Sequence, residues 1–474
     1  MFEKLSRSAL LAAASLLLPA CRTYMPLSDE LEERIAEESE GMPSIEDGDA
    51  VRATGEVVAE GALPWPEAVE LPAQAGLEEY VHLALERNPR IRARIRELEA
   101  LGQRVPQVTS LNDPVLSITP PTGDMVQTAA GEMDGAIGIS QGIPAPGKLQ
   151  SRGRIAEQVV RVALENLRSE RLAIVSEVKQ AYFVYYLAYV SIDVTNENLR
   201  LLLRLSSVAE AKYSAGTAPQ QDLLRAEVEV YNVTNELITL EQRRQTAVAR
   251  LNVLMDRDVL ADIPEPEPVA PLSIGSRIEA MLARAVDDNP GLAAWQERTK
   301  ADLEAVRLAK LQYYPDFNVG ALLTFISSSG LSPVANGQDA FSLNLGLTLP
   351  TWLEKIRAGV LERNAMVLAS AERYRGARND VFFAIQDLFV KVDAAYRSAV
   401  LLRDGILPRA RQTVDVSESG YQAGEVDFTT LIGNWQRLLD LTLTYHGALT
   451  TLEQEVAELE QVLGGGIERV VPEE

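Results

Sequence analysis

Histidine and cysteine are all but missing: His82, His446 and Cys21 are the only ones in 474 residues. A lone cysteine excludes an internal disulfide framework, and two histidines leave little for a soft-metal site or a histidine-based catalytic centre. Positive charge is also short, with 45 Lys+Arg against 68 Asp+Glu and a formal net charge of −23. That balance argues against nucleic acid as a partner, because phosphate binders carry a basic footprint. No apolar run reaches the length of about 18 residues that a spanning helix needs. Nucleophile motifs, phosphate loops and metal-ligand clusters are missing too, so the sequence reads as neither an enzyme nor a holder of cofactor or metal. What is present is 46% apolar residues, ample for a large core.

The N-terminus carries an address. Lys4 and Arg7 precede an apolar stretch, Ala9 to Leu18, broken only by Ser15. This is the length of a secretory signal core and too short to span as a helix. The run Leu18-Pro19-Ala20-Cys21 resembles the bacterial lipoprotein signal, which implies a signal peptide over 1–20 and acyl chains on Cys21. Each buried CH₂ of such a chain contributes about 0.8 kcal/mol, and stable anchoring takes more than one chain. Residue 22 is Arg, not the Asp that retains many lipoproteins at the inner membrane, so the resemblance implies the outer membrane. From Asp29 to Glu60 twelve acidic residues face only Arg34 and Arg52. Such a segment reads as a solvated or loosely attached tether, and 21–75 is expected to be this lipidated, acidic and then Pro-rich lead.

Beyond it the chain repeats itself. Ala84 to Pro89 corresponds to Ala285 to Pro290, Pro114 to Pro315, and Pro144 to Pro350. Tyr213-Ser-Ala-Gly216 matches Tyr421-Gln-Ala-Gly424, and Leu223 matches Leu431. The offset only grows along the chain, as one diverged duplication would give. A Pro-rich linker over 263–275 separates the copies, 76–262 and 276–465, and 466–474 is a tail.

Each copy is expected to run from helix to strands to a very long helical hairpin. No proline interrupts 147–218, and there Val160, Leu164, Leu167, Arg171, Ile174, Val178, Ala181, Tyr185, Ala188, Ile192, Thr195, Leu199 and Leu202 recur at alternating spacings of four and three. This is a heptad seam, and it resumes from Leu223 to Leu254 and, at the same phase in the second copy, from Leu431 to Val462. A helix predicted over 151–212 is roughly 90 Å long and needs partners along its length. Gly216 and Gly424 sit where the seams break and suit the positive φ that ends a helix, giving hairpins over 151–256 and 356–463. Strands are predicted over about 113–143 and 315–350. In the second copy Phe341, Leu343, Leu345, Leu347 and Leu349 alternate strictly with Ser342, Asn344, Gly346 and Thr348. In the first copy, Val115 to Thr119 and Ala136 to Ile143 alternate less cleanly. Strands apolar on one face and small or polar on the other suit a transmembrane barrel. Four of them cannot close one, so copies must associate.

These residues together, with Gln141-Gly-Ile-Pro-Ala-Pro-Gly-Lys148 and Leu347-Thr-Leu-Pro350 leaving the strands, resemble the TolC-like outer-membrane efflux factors, in their lipid-anchored branch serving RND-type pumps. The resemblance covers about 76–465. It implies a mainly α fold with a β-barrel contribution: a homotrimer with a twelve-stranded barrel in outer-membrane lipid, continued by a periplasmic α-helical barrel. It implies an exit duct of a tripartite efflux or type I secretion system, partnered by a periplasmic adaptor and an inner-membrane pump. Tyr213, Gly216, Tyr421 and Gly424 would lie at the periplasmic tip, where the adaptor docks. Asp222, Glu425 and Asp427 are candidate gating or cation-attracting acids; relatives carry an Asp six residues past the second-turn Gly, where this chain has Thr430. Any metal selectivity is expected to lie with the pump, and His82 and His446 to be ordinary helix residues. The competing readings are a periplasmic adaptor, or an envelope scaffold lipoprotein of coiled coils without a pore.

Overall fold

The computed structural model describes residues 25–42, 44–59, 69–72, 75–120, 127–328, 333–334 and 336–470. The signal segment and Cys21 lie outside the described residues. In chain order come helices α1 (Asp29–Glu38), α2 (Gly48–Ala59), α3 (Leu77–Arg87), α4 (Pro89–Gly102) and α5 (Arg104–Thr109). Strands β1 (Val115–Thr119), β2 (Gln127–Thr128) and β3 (Gly131–Ile143) follow, then the helical hairpin α6 (Lys148–Ser214) and α7 (Gln220–Leu254). After β4 (Ser273–Ile274) the order recurs: α8 (Ile278–Asp288), α9 (Pro290–Lys310), β5 (Asp316–Ile326), β6 (Ala340–Thr348), then α10 (Leu353–Val400), α11 (Leu407–Ala423) and α12 (Phe428–Leu463), with β7 (Arg469–Val470) last. A π-helical turn, Leu401–Ile406, joins α10 to α11. It lies just before Pro408, whose ring has no N–H and would clash with the carbonyl four residues back in an unbroken α-helix.

The chain forms two compact units. The first comprises the residues through Glu40, Ile95–Leu164 and Ala294–Arg375, and holds the main sheet. Its strands run in the order β1-β3-β5-β6, all antiparallel, with β2 paired to β3. The strand expected from Ala136 begins earlier, at Gly131, and carries a register shift between Met133 and Gly135. The acidic lead departs from the expected tether. Within it α1 is a docked helix, with Leu31 fully buried and Glu30 paired to Arg161 at 3.2 Å. Leu27, Leu31 and Ile35, four residues apart, make one apolar face that the net charge concealed; Leu27 and Ile35 pack beside Gly102. Just upstream, the N–H of Met25 donates to Thr109 Oγ1 at 3.2 Å, and that hydroxyl is 3.0 Å from the Met25 carbonyl.

The second unit comprises Gly41–Arg94, Glu165–Ala293 and Gly376–Glu474. Along α6 the predicted seam is buried at Leu167, Ile174, Val178, Ala181, Tyr185, Ala188, Thr195 and Leu202. The returning helix α12 buries two stripes instead of one: Leu431, Leu452 and Leu459 from the predicted seam, and Trp435, Leu449, Val456 and Leu463 beside it. A helix with two packed faces has neighbours on two sides, and Met281, Ala285, Ile385, Leu388 and Val392 supply one of them.

The duplicated Asn-Pro pairs explain themselves here. Asn88 Oδ1 accepts the N–H of Arg90, while its Nδ2 donates to the Leu254 carbonyl at 2.9 Å. Asn289 Oδ1 accepts the N–H of Leu292, and its Nδ2 donates to the Val462 carbonyl at 2.7 Å. In both copies one amide caps the start of a helix and ties it to the last turn of the returning helix. Both side chains are buried, so each lost bond leaves an unsatisfied polar group. The Pro-rich linker is strapped onto α6 by tyrosines. Tyr185 donates its hydroxyl to the Pro264 carbonyl at 3.0 Å, and Tyr182 Oη accepts the N–H of Glu267 at 3.1 Å. Beside them Tyr186 Oη meets His446 Nδ1 at 3.2 Å; burial holds the imidazole pKa below its ordinary value, which favours the neutral ring.

Candidate functional site: a two-faced sheet and a pair of hairpin turns

Strand register decides what the sheet can be. Residues directly opposite one another share a face, so Ile118 and Leu116 on β1 align with Ile137 and Ile139 on β3. Those in turn align with Leu323 and Ala321 on β5, and these with Phe341 and Leu343 on β6. Farther along, Phe317 and Val319 pair with Leu347 and Leu345. One face is thus apolar across all four strands. The other carries Ser117, Gly138, Ser140, Asn318, Gly320, Thr324, Ser342, Asn344 and Gly346. The weak alternation of the first copy resolves at the same time, because its second face is mostly Gly, Ala and Ser, which read as gaps and not as polar residues. The one polar intruder on the apolar face, Gln141, is satisfied through Nε2 by the Asn112 carbonyl at 2.7 Å. The apolar side chains are left open to the outside: Leu116, Ile118, Phe341, Leu343 and Leu345 are all more than 60% exposed. A soluble sheet buries such a face.

Where β3 hands over to α6, Lys148 is buried, and its ammonium lies 2.8 Å from Asp316 Oδ1 at the start of β5. The same oxygen accepts the N–H of Ala145 at 2.7 Å, so one carboxylate ties the exit of the first hairpin to the entry of the second. Lys148 entered the sequence reading only as part of a motif, and nothing local to it announces Asp316.

In the second unit the two turns have the same construction. Gly216 has φ +73° and Gly424 φ +82°. The N–H of Thr217 donates to the Lys212 carbonyl at 2.9 Å, and that of Glu425 to the Gly420 carbonyl at 2.8 Å, the six-to-one bond of a Schellman cap. The matched tyrosines then part company. Tyr421 is buried with Leu205, Ala209, Ala226, Phe428 and Leu431, its ring 5.4 Å from that of Phe428, whereas Tyr213 is 42% exposed. Two residues that sequence did not single out hold the turns together. Lys212 donates to the carbonyls of Tyr421 and Gln422 and lies 4.3 Å from the centre of the Tyr421 ring. Arg225 donates to Thr429 Oγ1. The available signal for Lys212 was its place in the last turn of a helix, where cations favour carbonyl ends. A cavity of about 500 Å³ opens beside them, lined by Leu224, Arg225 and Val228 on α7 and by Phe428, Ile432 and Gly433 on α12.

The three candidate acids are not alike. Asp427 is the N-cap of α12: Oδ1 accepts the Thr430 N–H at 2.9 Å and Oδ2 its hydroxyl at 2.9 Å. Those bonds hold the carboxyl below its ordinary pKa. Thr430 occupies the position where the resemblance implies an acid, and here it serves the cap. Asp222 is shifted upward, by partial burial first and by the neighbouring Asp427 charge as well, against Arg225 and Lys212. Glu425 is exposed. A cap and a gate charge separate on substitution. Asp427→Asn keeps an acceptor and is expected to leave thermal stability nearly unchanged, while Asp427→Ala lowers it. The Ala penalty is present in full above the ordinary carboxylate range and fades as pH falls through the depressed folded pKa, measurable by melting from neutral pH to pH 3.

Among the described residues no group of His, Cys, Asp or Glu is placed to hold a metal ion, and no helix is long and apolar enough to cross a membrane. A family model described as Outer membrane efflux protein matches residues 80–256 and 281–465, the two copies in turn. The chain is similar to the cobalt-zinc-cadmium resistance protein CzcC of Cupriavidus metallidurans, at 21% identity over 82% of this chain and 90% of that one. Among solved structures it shares its fold with the outer-membrane channel OprN, at a TM-score of 0.69 and 17% identity, covering 85% of this chain and 97% of that one. The outer membrane protein VceC of Vibrio cholerae gives 0.67 and 19%, over 83% and 97%. Duplicated helix, two-faced sheet and capped hairpin are therefore those of a channel component and not of an enzyme, and the chain belongs to the outer membrane efflux protein family, whose members are outer-membrane exit channels with a periplasmic extension.

Proposed function

We propose that three copies of this chain close their four-stranded sheets into one twelve-stranded barrel in the outer membrane, forming the exit duct of a tripartite efflux system. The observation that carries this reading is the sheet itself: apolar on one face through four strands in register, with β1 and β6 each paired on one side only. Such edges are untenable in hydrocarbon unless another copy covers them. The small and polar residues of the opposite face then line water. The acyl chains of Cys21 hold each copy to the same membrane, and the segment around Met25 is clasped by Thr109 as the chain enters the folded body.

The turns at Gly216 and Gly424 serve the periplasmic adaptor, with Tyr213 as an exposed contact and Tyr421 as packing that sets the turn. Behind the adaptor stands an inner-membrane pump of RND type, which loads the duct; passage through it is then passive. Asp222, Glu425 and Asp427 from three copies gather as acid rings that favour cations and repel one another. In this arrangement Lys212 is a closing bond between the two hairpins, and its removal frees one turn from the other.

The experiment is reconstitution of detergent-extracted protein into planar bilayers, with mass measured in parallel. The expected result is a trimer with a stable conductance that rises several-fold in Lys212→Met. A monomer that stays soluble without detergent, or a trimer that never conducts in either form, overturns the reading.

A further inference from the structure

The apolar alternation of β6 does not stop at the strand end. Leu349 continues it, 65% exposed, and three residues on Trp352 is 77% exposed at the first turn of α10. On the neighbouring strand, Tyr313 and Tyr314 directly precede β5 and are 42% and 60% exposed. Asp316 pairs with Thr348, so these aromatics gather at one end of the same strand pair. Basic side chains accompany them: Lys310 closes α9 and Lys355 follows Trp352, both exposed. A cavity of about 580 Å³ is lined by Thr351, Trp352, Leu353, Glu354 and Lys355.

Aromatic rings with a polar edge suit a layer that is apolar on one side and wet on the other. Lysine suits the same layer, because its stem lies along apolar surface while its ammonium reaches phosphate. The distance agrees: from Phe341 to Leu349 the apolar row rises roughly 26 Å at about 3.3 Å per residue, against an apolar band of roughly 25 Å on outer-membrane barrels. Trp352 and Tyr314 stand just past the end of that band, on the side where the chain turns to helix.

We propose that Trp352, Tyr313 and Tyr314, with Lys310 and Lys355, form a collar at the headgroup layer of the periplasm-facing leaflet and fix the depth at which the barrel sits. The occupant of this surface is phospholipid, the acyl ester and phosphate layer in particular. It is the occupant that continues an apolar band on one side and meets ammonium groups on the other; a second copy of the chain would demand neither. The proposal rests on the barrel reading above, and its test keeps the two apart.

The native chain and Trp352→Phe are reconstituted as full-length protein into phosphatidylethanolamine–phosphatidylglycerol vesicles whose acyl chains are brominated near the headgroup, at mid-chain or near the methyl end. Tryptophan quenching is then read. The expected result is a quenched component in the native protein, strongest with bromine near the headgroup and lost in Trp352→Phe. Because Trp352 is exposed and Phe is conservative, the variant folds as the parent does. A third protein, Leu345→Trp in the Trp352→Phe background, reports the band itself and is quenched most by bromine near the methyl end. If that tryptophan is quenched while Trp352→Phe leaves native quenching unchanged, the collar is wrong and the barrel stands. Blue-shifted, unquenched Trp352 emission assigns the residue to a contact between copies and equally overturns the collar. If neither tryptophan is quenched, the barrel itself fails.

Discussion

Asp316→Ala is expected to unfold the junction between sheet and helix, at about 3–5 kcal/mol per chain, the penalty of leaving a buried ion without its partner. The Lys148 side chain is only 3% exposed; its ammonium has Asp316 Oδ1 at 2.8 Å and, more weakly, the Tyr314 carbonyl at 3.4 Å. Alanine also removes the acceptor of the Ala145 N–H. Asp316→Asn retains that acceptor and forfeits only the charge, so it is expected to be milder. Lys148→Met removes the charge that needs a partner; combined with Asp316→Asn it is expected to recover most of the stability lost in Asp316→Ala, since replacing both members of a buried pair by groups of similar shape is often near neutral. The measurement is thermal and denaturant stability of the detergent-solubilised oligomer, with the double-mutant coupling extracted from the four proteins. An Asp316→Ala protein within about 0.5 kcal/mol of the parent would remove the ion pair from any structural role.

That pair also marks the boundary of what the sequence discloses. Heptad seams, the strict alternation of β6 and the two glycine turns were all legible, because each is a local periodicity or a local backbone demand. Gly216 and Gly424 illustrate it: their φ values require glycine, and nothing lies within 4 Å of where a Cβ would stand, so the turn alone fixes the residue. Long-range pairings were not legible. Lys148 and Asp316 are far apart in sequence, as are Asn88 and Leu254, and no spacing rule joins them. The duplication gave a partial substitute, since a bond in one copy has its counterpart in the other, and Asn289 to Val462 repeats Asn88 to Leu254. Composition misled where it was averaged. The acidic excess of the N-terminal lead hid Leu27, Leu31 and Ile35, three residues that suffice to dock a helix. Tyr213 and Tyr421 show the opposite failure: identical motifs, one exposed and one buried, because the turns pack against each other and only one tyrosine can occupy the shared core.

Two neighbouring residues of β6 are expected to give opposite phenotypes under the same substitution. Leu345 and Asn344 are adjacent, so their side chains leave opposite faces of the sheet. Leu345 pairs with Val319 on the apolar face, and Asn344 with Gly320 on the small, polar one. Leu345→Arg places a guanidinium near the middle of the apolar row, at about 2–4 kcal/mol where such a row meets bilayer midplane. Three copies multiply the penalty, and the expected outcome is loss of folded protein from the outer-membrane fraction. Asn344→Arg puts the same charge toward water, beside Gly320, whose missing side chain leaves room. It is expected to assemble at near-normal yield and to change conductance and ion selectivity, shifting preference toward anions. Fractionation and bilayer recordings on the two proteins read both predictions together. The argument depends on register alone: a slip of one residue in β6 exchanges the two faces and with them the two phenotypes. If Leu345→Arg assembles and conducts while Asn344→Arg does not, the apolar face is turned inward, and the sheet is a soluble wall and not a membrane one.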